Sequence, residues 1–338
     1  MSIETLSPDA CAMLMACSYV GLERTGAVTP LNLKEWNILA SKIQLSPLRT
    51  PGNLLGLNAS DLQNTLALTP AEAQRLSGLL QRGAAVAFEL ENLMNAGIRI
   101  VTRADRHYPS RLKIKLNAQA PVLLFYAGDL NLAVQNGIAI VGSRAVDQAG
   151  IDFTAMLAEC CAQNRLNVVS GAAKGVDITA MKSALEHSGT CLGVLSDSLS
   201  KKIREREARQ YLFEERLLLL SPFHPNSGFT VANAMSRNKL IYALADYAVA
   251  ISSDFGKGGT WAGATENIKH KYTPMLVRAD GEAPAGNVAL LQQGVAGLTA
   301  TELQAYGNNL LSLFEQKLSQ DEFDASPAGQ MTLFHSVN

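Results

Sequence analysis

The fold is decided by the stretch Val168-Val169-Ser170-Gly171-Ala172-Ala173-Lys174-Gly175-Val176-Asp177. Its first residues are the end of a short apolar strand, and the small residues that follow form a loop that opens a helix. Such a loop directs backbone N–H groups and a helix N-terminus at one point, which is a common way for a protein to hold a phosphate group. The stretch therefore predicts a strand–loop–helix unit with an anion site at the loop.

A second stretch with the same pattern lies about thirty residues upstream. Here Ile138-Ala139-Ile140-Val141-Gly142-Ser143-Arg144 is an apolar strand followed by a small-residue loop that carries an arginine. Two such loops in one sheet indicate a ligand with several phosphates. Neither has the glycine spacing of a dinucleotide site or of a P-loop, so NAD-dependent chemistry and ATP hydrolysis are not expected.

The composition limits the class of protein. With 338 residues, 47% of them hydrophobic and 17% charged, the chain is globular and long enough for one large domain and one or two small ones. The 29 basic and 30 acidic residues give a net charge of −1, so any site for a polyanion must be a local patch. The first residues lack the pattern of a signal peptide and no apolar run could span a bilayer, so we expect a cytoplasmic protein without membrane contact. The five cysteines and five histidines have no metal-ligand spacing, so neither a metal nor a cofactor is expected.

From residue 138 onward, apolar strands alternate regularly with helices. The predicted strands are 138–142, 166–170, 191–195, 217–221, 247–252 and 274–278, and the clearest predicted helices are 150–163, 178–187 and 232–244. This alternation predicts an α/β fold, an extended Rossmann-like parallel sheet with helices on both faces. Because ligands bind at the carboxyl ends of such strands, the loops 142–146, 170–176 and 253–260 are expected to converge on one site.

The rest of the chain suggests three further units. Residues 1–85 read as a small helical N-terminal domain of SAM-like or helix-hairpin type, with a helix start at Thr69. Residues 86–136 form a lead-in with strands at 98–101 and 121–126 that packs on the Rossmann domain, 137–299. Residues 300–338 are expected to be one amphipathic helix, Leu303 to Leu318, and a flexible tail.

The candidate phosphate-binding residues combine glycines for close backbone approach, hydroxyl and amide donors, and cations. They are Gly142, Ser143, Arg144, Ser170, Gly171, Lys174, Gly175, Asn233, Ser236, Arg237, Asn238 and Lys239. Asp177 would repel a phosphate, so we expect it to brace its loop through backbone N–H groups. Phe229 could stack on a base or belong to the core, and the residues favour neither. No residue pattern indicates a catalytic triad.

Several motifs together resemble the DprA/Smf family of DNA-processing proteins. They are Ile140-Val141-Gly142-Ser143-Arg144, the stretch Ser170 to Asp177, Arg237-Asn238-Lys239-Leu240-Ile241, and the lead-in from Gly97 to Leu130. The resemblance covers about residues 95 to 280. It implies a non-enzymatic, homodimeric protein that binds single-stranded DNA through its phosphates and, in the better-known members, hands it to the recombinase RecA.

The sequence also departs from the family pattern. Arg-Asn-Lys at residues 237–239 replaces the usual Arg-Asn-Arg. The phenylalanine expected just before that motif lies farther upstream, at Phe229. The usual acidic residue after the strand 217–220 is missing. Too few residues follow position 300 for the family's winged-helix module. The loop Gly258-Gly259-Thr260-Trp261 resembles a divergent branch of the family, some of whose members are similar to partners in phage-defence or toxin–antitoxin pairs.

Two other functions stay open at this point. One is an antitoxin-like regulator of a cognate toxin, for example a phosphoribosyltransferase-like one. The other is a nucleotide-binding or nucleotide-hydrolysing enzyme of the lysine-decarboxylase-like Rossmann group, suggested by Gly258, Gly259 and Glu266.

The last residues contain a short candidate docking motif. Gln330-Met331-Thr332-Leu333-Phe334 resembles the peptides by which bacterial proteins bind the replicative sliding clamp, with Gln330, Leu333 and Phe334 as the docking residues. The same residues could instead fold back onto the body of the protein.

Overall fold

A mixed nine-stranded sheet forms the centre of the computed structural model, which describes residues 6–23, 28–281 and 283–324. The strands are β1 (Arg99–Thr102), β2 (Leu123–Ala127), β3 (Gly137–Gly142), β4 (Asn167–Ser170), β5 (Cys191–Val194), β6 (Leu217–Ser221), β7 (Tyr247–Ser252), β8 (Met275–Arg278) and β9 (Ala296–Leu298). The six strands predicted from the alternation, β3 to β8, and the two strands predicted in the lead-in are confirmed.

Helices precede the sheet and connect its strands. They are α1 (Pro8–Cys17), α2 (Leu33–Leu45), α3 (Ala59–Leu66), α4 (Pro70–Leu80), α5 (Gly83–Asn95), α6 (Ser110–Leu116), α7 (Gln148–Gln163), α8 (Val176–Glu186), α9 (Leu199–Lys202), α10 (Arg206–Phe213), α11 (Val231–Leu244), α12 (Gly258–His270), α13 (Ala285–Gln292), α14 (Ala300–Tyr306) and α15 (Leu310–Asp324). No helix within the described ranges is both long and apolar enough to cross a bilayer.

The sheet has the order β1-β2-β6-β5-β4-β3-β7-β8-β9. From β6 to β9 every neighbouring pair is parallel, as predicted for a Rossmann-like fold. The chain starts this parallel part at β3, builds outward to β6, and then returns to the other side of β3 with β7. This reversal creates the crevice at the carboxyl ends of β3 and β7 where such folds bind ligands.

The edges of the sheet differ from the sequence prediction. Strands β1 and β2 do not only pack on the Rossmann domain but extend its sheet, and both of their pairings are antiparallel. At the opposite edge the short β9 pairs with β8, where no strand was predicted. Three residues are too few to show a strand periodicity, which explains why the pattern of residues missed it.

Alternate residues of each strand serve two separate apolar cores. Ile138 and Ile140 of β3 belong to the core beneath α7, α8 and the N-terminal helices. Their neighbours Ala139 and Val141 belong to the core beneath α6, α11 and α12. A parallel sheet covered on both faces is therefore the basis of the molecule.

The N-terminal helices are defined by their caps. Thr69 accepts a hydrogen bond from the Glu72 backbone N–H and the Glu72 carboxylate accepts one from Thr69, so the predicted helix start is a complete capping box. Residues of α1, α2 and α4 share a continuous apolar core with the sheet. The domain boundaries at 85, 136 and 299 stay predictions.

The prediction of one helix from Leu303 to Leu318 is wrong. Two helices, α14 and α15, are separated by a 3₁₀ turn at Gly307–Asn309. The Asn164 side chain donates to the Gly307 carbonyl and accepts from the Leu310 N–H, which satisfies backbone groups at the break. A Cβ at Gly307 would lie 2.5 Å from Cys160 Sγ, so α7 approaches this turn closely.

Candidate functional site

The loops at the carboxyl ends of β3 and β7 surround a pocket of about 400 Å³. The first turns of α11 and α12 complete its wall. The two loops meet because Gly142 and Ser252 are paired in the sheet and the Ser143 N–H donates to the Ser252 carbonyl at 2.8 Å. The pocket therefore lies at the crevice where the strand order reverses, and all three loops expected to converge line it, the loop after β4 through Ala173.

Arg144 and Phe229 form one side of the pocket. The guanidinium carbon of Arg144 lies 4.8 Å from the centroid of the Phe229 ring. Phe229 is 47% exposed, so it is not a core residue. The cation–π contact leaves part of an aromatic face and an exposed cation side by side in one wall.

Arg237 lies at the base of the pocket with a side chain that is almost fully buried. Only 4% of the residue is exposed, and its Nε and Nη1 atoms have no hydrogen-bond partner within the described structure. A Cβ at Gly171 would lie 1.8 Å from Arg237 Nη1, so only glycine permits the guanidinium to lie against this loop. Burial lowers the pKa of Arg237, while the carboxylates of Asp177 and Asp197 raise it.

Asp177 braces the loop after β4, as predicted. Its carboxylate accepts a hydrogen bond from the Ala173 N–H at 3.4 Å. Burial raises the pKa of this carboxyl group, whereas the Arg237 guanidinium and hydrogen bonding to the loop lower it. The carboxylate next to Arg237 is thereby held in the loop after β4.

The glycines of the two loops serve close packing between protein segments. A Cβ at Gly142 would lie 2.4 Å from Val176, and one at Gly175 would lie 2.4 Å from the Ser143 carbonyl oxygen. Gly175 also has φ +80°, a conformation that favours glycine. The prediction that Gly142 and Gly171 admit an anion to the backbone therefore needs correction at Gly171, because the Arg237 guanidinium fills that space.

Four other predicted site residues do not line the pocket. Ser170 is fully buried and its hydroxyl donates to the Ile140 carbonyl at 2.7 Å, so it supports the sheet. Lys239 donates to the Gln119 side chain at 2.9 Å, away from the pocket. Asn233 and Ser236 lie on another face of α11 from the lining residues Ala234, Asn238 and Ile241. Residue type suggested these four, but helical spacing decides which side chains face the pocket.

Lys174, another predicted site residue, is exposed on the loop after β4 and does not line the pocket. Its side chain has no hydrogen bond or ion pair within the described part of the chain. It therefore remains available to a ligand that extends beyond the pocket.

The start of α12 contributes a group that the predicted residue set lacked. Lys257, Gly258, Gly259 and Thr260 line the pocket, and no side chain caps this helix N-terminus. The Asn238 side chain donates to the Gly259 carbonyl at 3.0 Å and ties α12 to α11. Uncapped N–H groups at a helix start attract anions through the helix dipole. The glycine pair in the sequence was the signal that could have identified them.

The pocket contains three cations, Arg144, Arg237 and Lys257, and two carboxylates, Asp177 and Asp254. Asp177 is buried and hydrogen-bonded to its own loop, so the exposed field of the pocket is basic. Glu266, which suggested a hydrolytic enzyme, does not line the pocket and accepts a hydrogen bond from the Tyr272 hydroxyl at 3.4 Å. Among the described residues no group of three or more His, Cys, Asp or Glu side chains could hold a metal ion. The arrangement suits a phosphate-bearing ligand.

Comparisons with known proteins identify relatives of this architecture. The family model described as DNA recombination-mediator protein A matches residues 99–308, which include every loop of the pocket. The chain is 33% identical over 127 residues to the DNA processing protein DprA of Streptococcus pneumoniae, covering 37% of this chain and 44% of that protein. It is 27% identical over 204 residues to the protein Smf of Escherichia coli, covering 60% and 53%. The chain thus spans about half the length of the curated relatives that it matches.

Two solved structures have the same fold. The X-ray structure of DprA from S. pneumoniae superposes with a TM-score of 0.65 at 18% identity and covers 89% of this chain and 98% of that one. DprA from Helicobacter pylori, described for its single-stranded DNA binding mode, gives a TM-score of 0.53 at 25% identity and covers 64% and 96%. The last residues of the chain, including Gln330, Leu333 and Phe334, lie outside the described structure.

Proposed function

Because the chain belongs to the DNA recombination-mediator protein A family, we propose that its pocket holds the sugar–phosphate backbone of single-stranded DNA. Membership of this family supports a role in DNA processing or recombination. The proposed role is binding without catalysis, with little preference for base sequence.

The observation that carries this proposal is the buried and incompletely paired Arg237. A buried guanidinium with unpaired N–H groups is costly unless an acceptor reaches it. A phosphate oxygen that enters the pocket would provide that acceptor. The uncapped start of α12 would bind the same phosphate through backbone N–H groups, and Lys257 would add a second charge.

The aromatic wall favours a single strand over a duplex. The face of Phe229 left beside Arg144 can stack on an unpaired base, and bases in a duplex are already stacked on one another. Val231 and Met235 continue this exposed apolar strip along the start of α11. Stacking is tolerant of sequence, because every base has a flat aromatic face.

Fluorescence anisotropy with a labelled thymidine oligomer tests the proposal. We expect Arg144→Gln and Phe229→Ala each to weaken binding about tenfold or more, because each removes one element of the same wall. Lys269→Gln is the matched charge control and should bind as the parent does. Lys269 lies in the last turn of α12, at the opposite end of this helix from the pocket. Equal affinity of all four proteins would refute the proposal.

The expected partners are proposals as well. A homodimer would double the number of pockets on one strand. Transfer of DNA to RecA, docking on a sliding clamp through the tail, and control of a cognate toxin each require a partner surface that the pocket does not explain. An antitoxin role differs from the DNA-binding role in one respect: toxin neutralisation would survive Arg144→Gln.

A further inference from the structure

A second group of exposed cations lies outside the pocket, on α9, α10 and the turn between them. Lys201, Arg204, Arg206 and Arg209 are all exposed, and their side chains make no hydrogen bond or ion pair with the described part of the chain. Some other cations are held by partners within the protein; Arg216, for example, donates to the Leu185 carbonyl and pairs with Glu214. The free cations are therefore available for a ligand.

These cations are accompanied by an exposed aromatic ring. Phe213 is 90% exposed and lies on α10 four residues after Arg209 and seven after Arg206. This spacing places the three side chains on one stripe of the helix, about 10 Å long. Ala208 of the same helix is buried, so the stripe faces away from the core. We call the five residues Lys201, Arg204, Arg206, Arg209 and Phe213 the α9–α10 surface.

The local charge is strongly positive although the whole chain is nearly neutral. Residues 200–209 contain five basic side chains and two acidic ones, against a net charge of −1 for the molecule. One of the acidic residues, Glu205, pairs with Lys202 at 2.6 Å. The other, Glu207, is exposed and follows Arg206 by one position, which turns it about 100° around the helix from the stripe.

The α9–α10 surface is connected to the pocket through the segment that carries Phe229. The Pro225 carbonyl accepts hydrogen bonds from the Ser198 hydroxyl at 2.9 Å and the Ser200 N–H at 3.0 Å, which fixes α9 against this segment. Pro225 precedes Phe229 by four residues, a distance of at most about 14 Å along the chain. The loop before α9 also approaches the pocket, since Asp197 acts on Arg237.

We propose that the α9–α10 surface is a second subsite for single-stranded DNA, onto which a strand continues after it leaves the pocket. This inference rests on the proposed function of the pocket. The cations would contact backbone phosphates and Phe213 would stack on a base, the same combination of groups that single-strand binders use elsewhere. An acidic protein segment would need the cations but not an isolated, exposed aromatic ring in line with them.

The subsite predicts a dependence on the length of the DNA. An oligomer of about five nucleotides fills the pocket alone, whereas one of about twenty reaches both subsites. For the longer oligomer, the double variant Lys201→Gln/Arg204→Gln should weaken binding about fivefold. The slope of the logarithm of the association constant against the logarithm of salt concentration should become less steep by about 1.4, which corresponds to two lost phosphate contacts. Phe213→Ala, which leaves the charge unchanged, should weaken it about tenfold. Neither variant should change the affinity for the short oligomer.

Anisotropy titrations of the full chain with both oligomers measure these effects. Lys269→Gln/Lys271→Gln, an equal change of charge at the other end of α12, is the control and should match the parent. The subsite proposal would be overturned if either test variant bound the longer oligomer as tightly as the parent does. If only Phe213→Ala kept the parent's affinity, the cations would attract DNA by charge alone and no base would stack on Phe213. Failure of the pocket proposal is recognised separately, because Arg144→Gln would then bind the short oligomer as tightly as the parent does.

Discussion

Arg237 lines the pocket, as a site residue predicted from the sequence should, but its environment differs from the predicted one. Its position after Asn233 and before Asn238 suggested a donor at an exposed helix start, but its guanidinium lies buried against Gly171 and close to Asp177. Contacts between residues about sixty positions apart leave no local pattern in a sequence. The glycine at 171 was visible in the sequence, but the reason for it was not.

Gly171→Ala tests this contact without removing the arginine. The new Cβ would fall 1.8 Å from Arg237 Nη1, so the guanidinium must move. We expect a loss of stability of about 1–3 kcal/mol in urea unfolding and weaker binding of single-stranded DNA.

Gly78→Ala is the matched control. Gly78 lies within α4, and a Cβ there would meet no atom within 4 Å. This change should stabilise the protein by about 0.5–1 kcal/mol, because alanine favours a helix. A Gly171→Ala protein that is as stable and binds as tightly as the parent would contradict the described position of Arg237.

An ion pair between a buried arginine and an exposed aspartate supports the loop after β3. Arg278 is fully buried with no hydrogen-bond partner for its side chain in the described structure, and its Nη1 lies 3.5 Å from Asp147 Oδ1. Asp147 also caps α7 by accepting from the Gly150 N–H at 2.8 Å. The position of α7 below the Arg144 loop thus depends on the Asp147 carboxylate, which both caps the helix and pairs with Arg278.

A double-mutant cycle separates these two functions. Asp147→Ala should cost about 2–3 kcal/mol, because it removes the cap and leaves a buried charge without a counterion. In an Arg278→Met background the same change should cost only about 1 kcal/mol, the value of the cap. Equal costs in the two backgrounds, measured by urea unfolding, would show that the ion pair contributes nothing.

At the scale of elements, the sequence predicted the parallel strands well and the two ends of the sheet poorly. Strands β3 to β8 are short apolar runs bounded by turns and helices, a pattern that depends only on nearby residues. The antiparallel pairing of β2 with β6 joins Phe125 to Ser221, far apart in the chain. The break between α14 and α15 falls on Gly307-Asn308-Asn309, a local turn signal that the predicted single helix overlooked, and Asn164 of another helix holds it in place.

The same reasoning explains the candidate site. The loops were found because glycine, serine and arginine at a strand end have a local meaning. The face of α11 was not resolved, since Asn233, Ser236 and Lys239 were chosen by residue type. A count of helical positions from Ala234 to Asn238 and Ile241 would have shown the face that lines the pocket.

The packing of α6 against α11 predicts a pH dependence of stability. Lys115 on α6 donates to the Ala245 carbonyl at 2.6 Å, and burial lowers its pKa from 10.5 to about 8. Between these two values the unfolded chain binds more protons at this site than the folded chain does. The contribution of Lys115 to the free energy of unfolding therefore rises with pH across this window, and it is constant below about pH 8.

Urea unfolding of the parent and of Lys115→Met at several pH values measures that contribution. The stability of the parent relative to the variant should increase as the pH rises from about 8 toward 10.5. A difference that stays constant with pH would show that the amine is not desolvated in the folded protein.

At the scale of the whole molecule, the N-terminal helices are connected to the segment that supplies the pocket wall. Glu89 on α5 contacts His224 at 3.1 Å and also accepts a hydrogen bond from the Gly21 N–H. The Asn226 N–H in turn donates to His224 Nδ1, which shapes the segment that leads to Phe229. The N-terminal module thus supports the position of the aromatic wall, although it lies on the opposite side of the sheet from α11.

In the proposed account, the carboxyl-edge pocket and the α9–α10 surface are two places at which the protein would hold a flexible polyanion. Its overall charge of −1 would not attract DNA in general. Affinity must therefore come from the few cations grouped at these two places, and a salt titration counts how many of them contact phosphate.

The most direct test of this account is the salt dependence of binding to a thymidine oligomer of about five nucleotides, which reports on the pocket alone. With three cations in the pocket, we expect log K to fall with log salt at a slope of about −2 for the parent and about −1.4 for Arg144→Gln. An affinity independent of salt, or the same slope in both proteins, would contradict the claim that the pocket holds the DNA backbone by its phosphates.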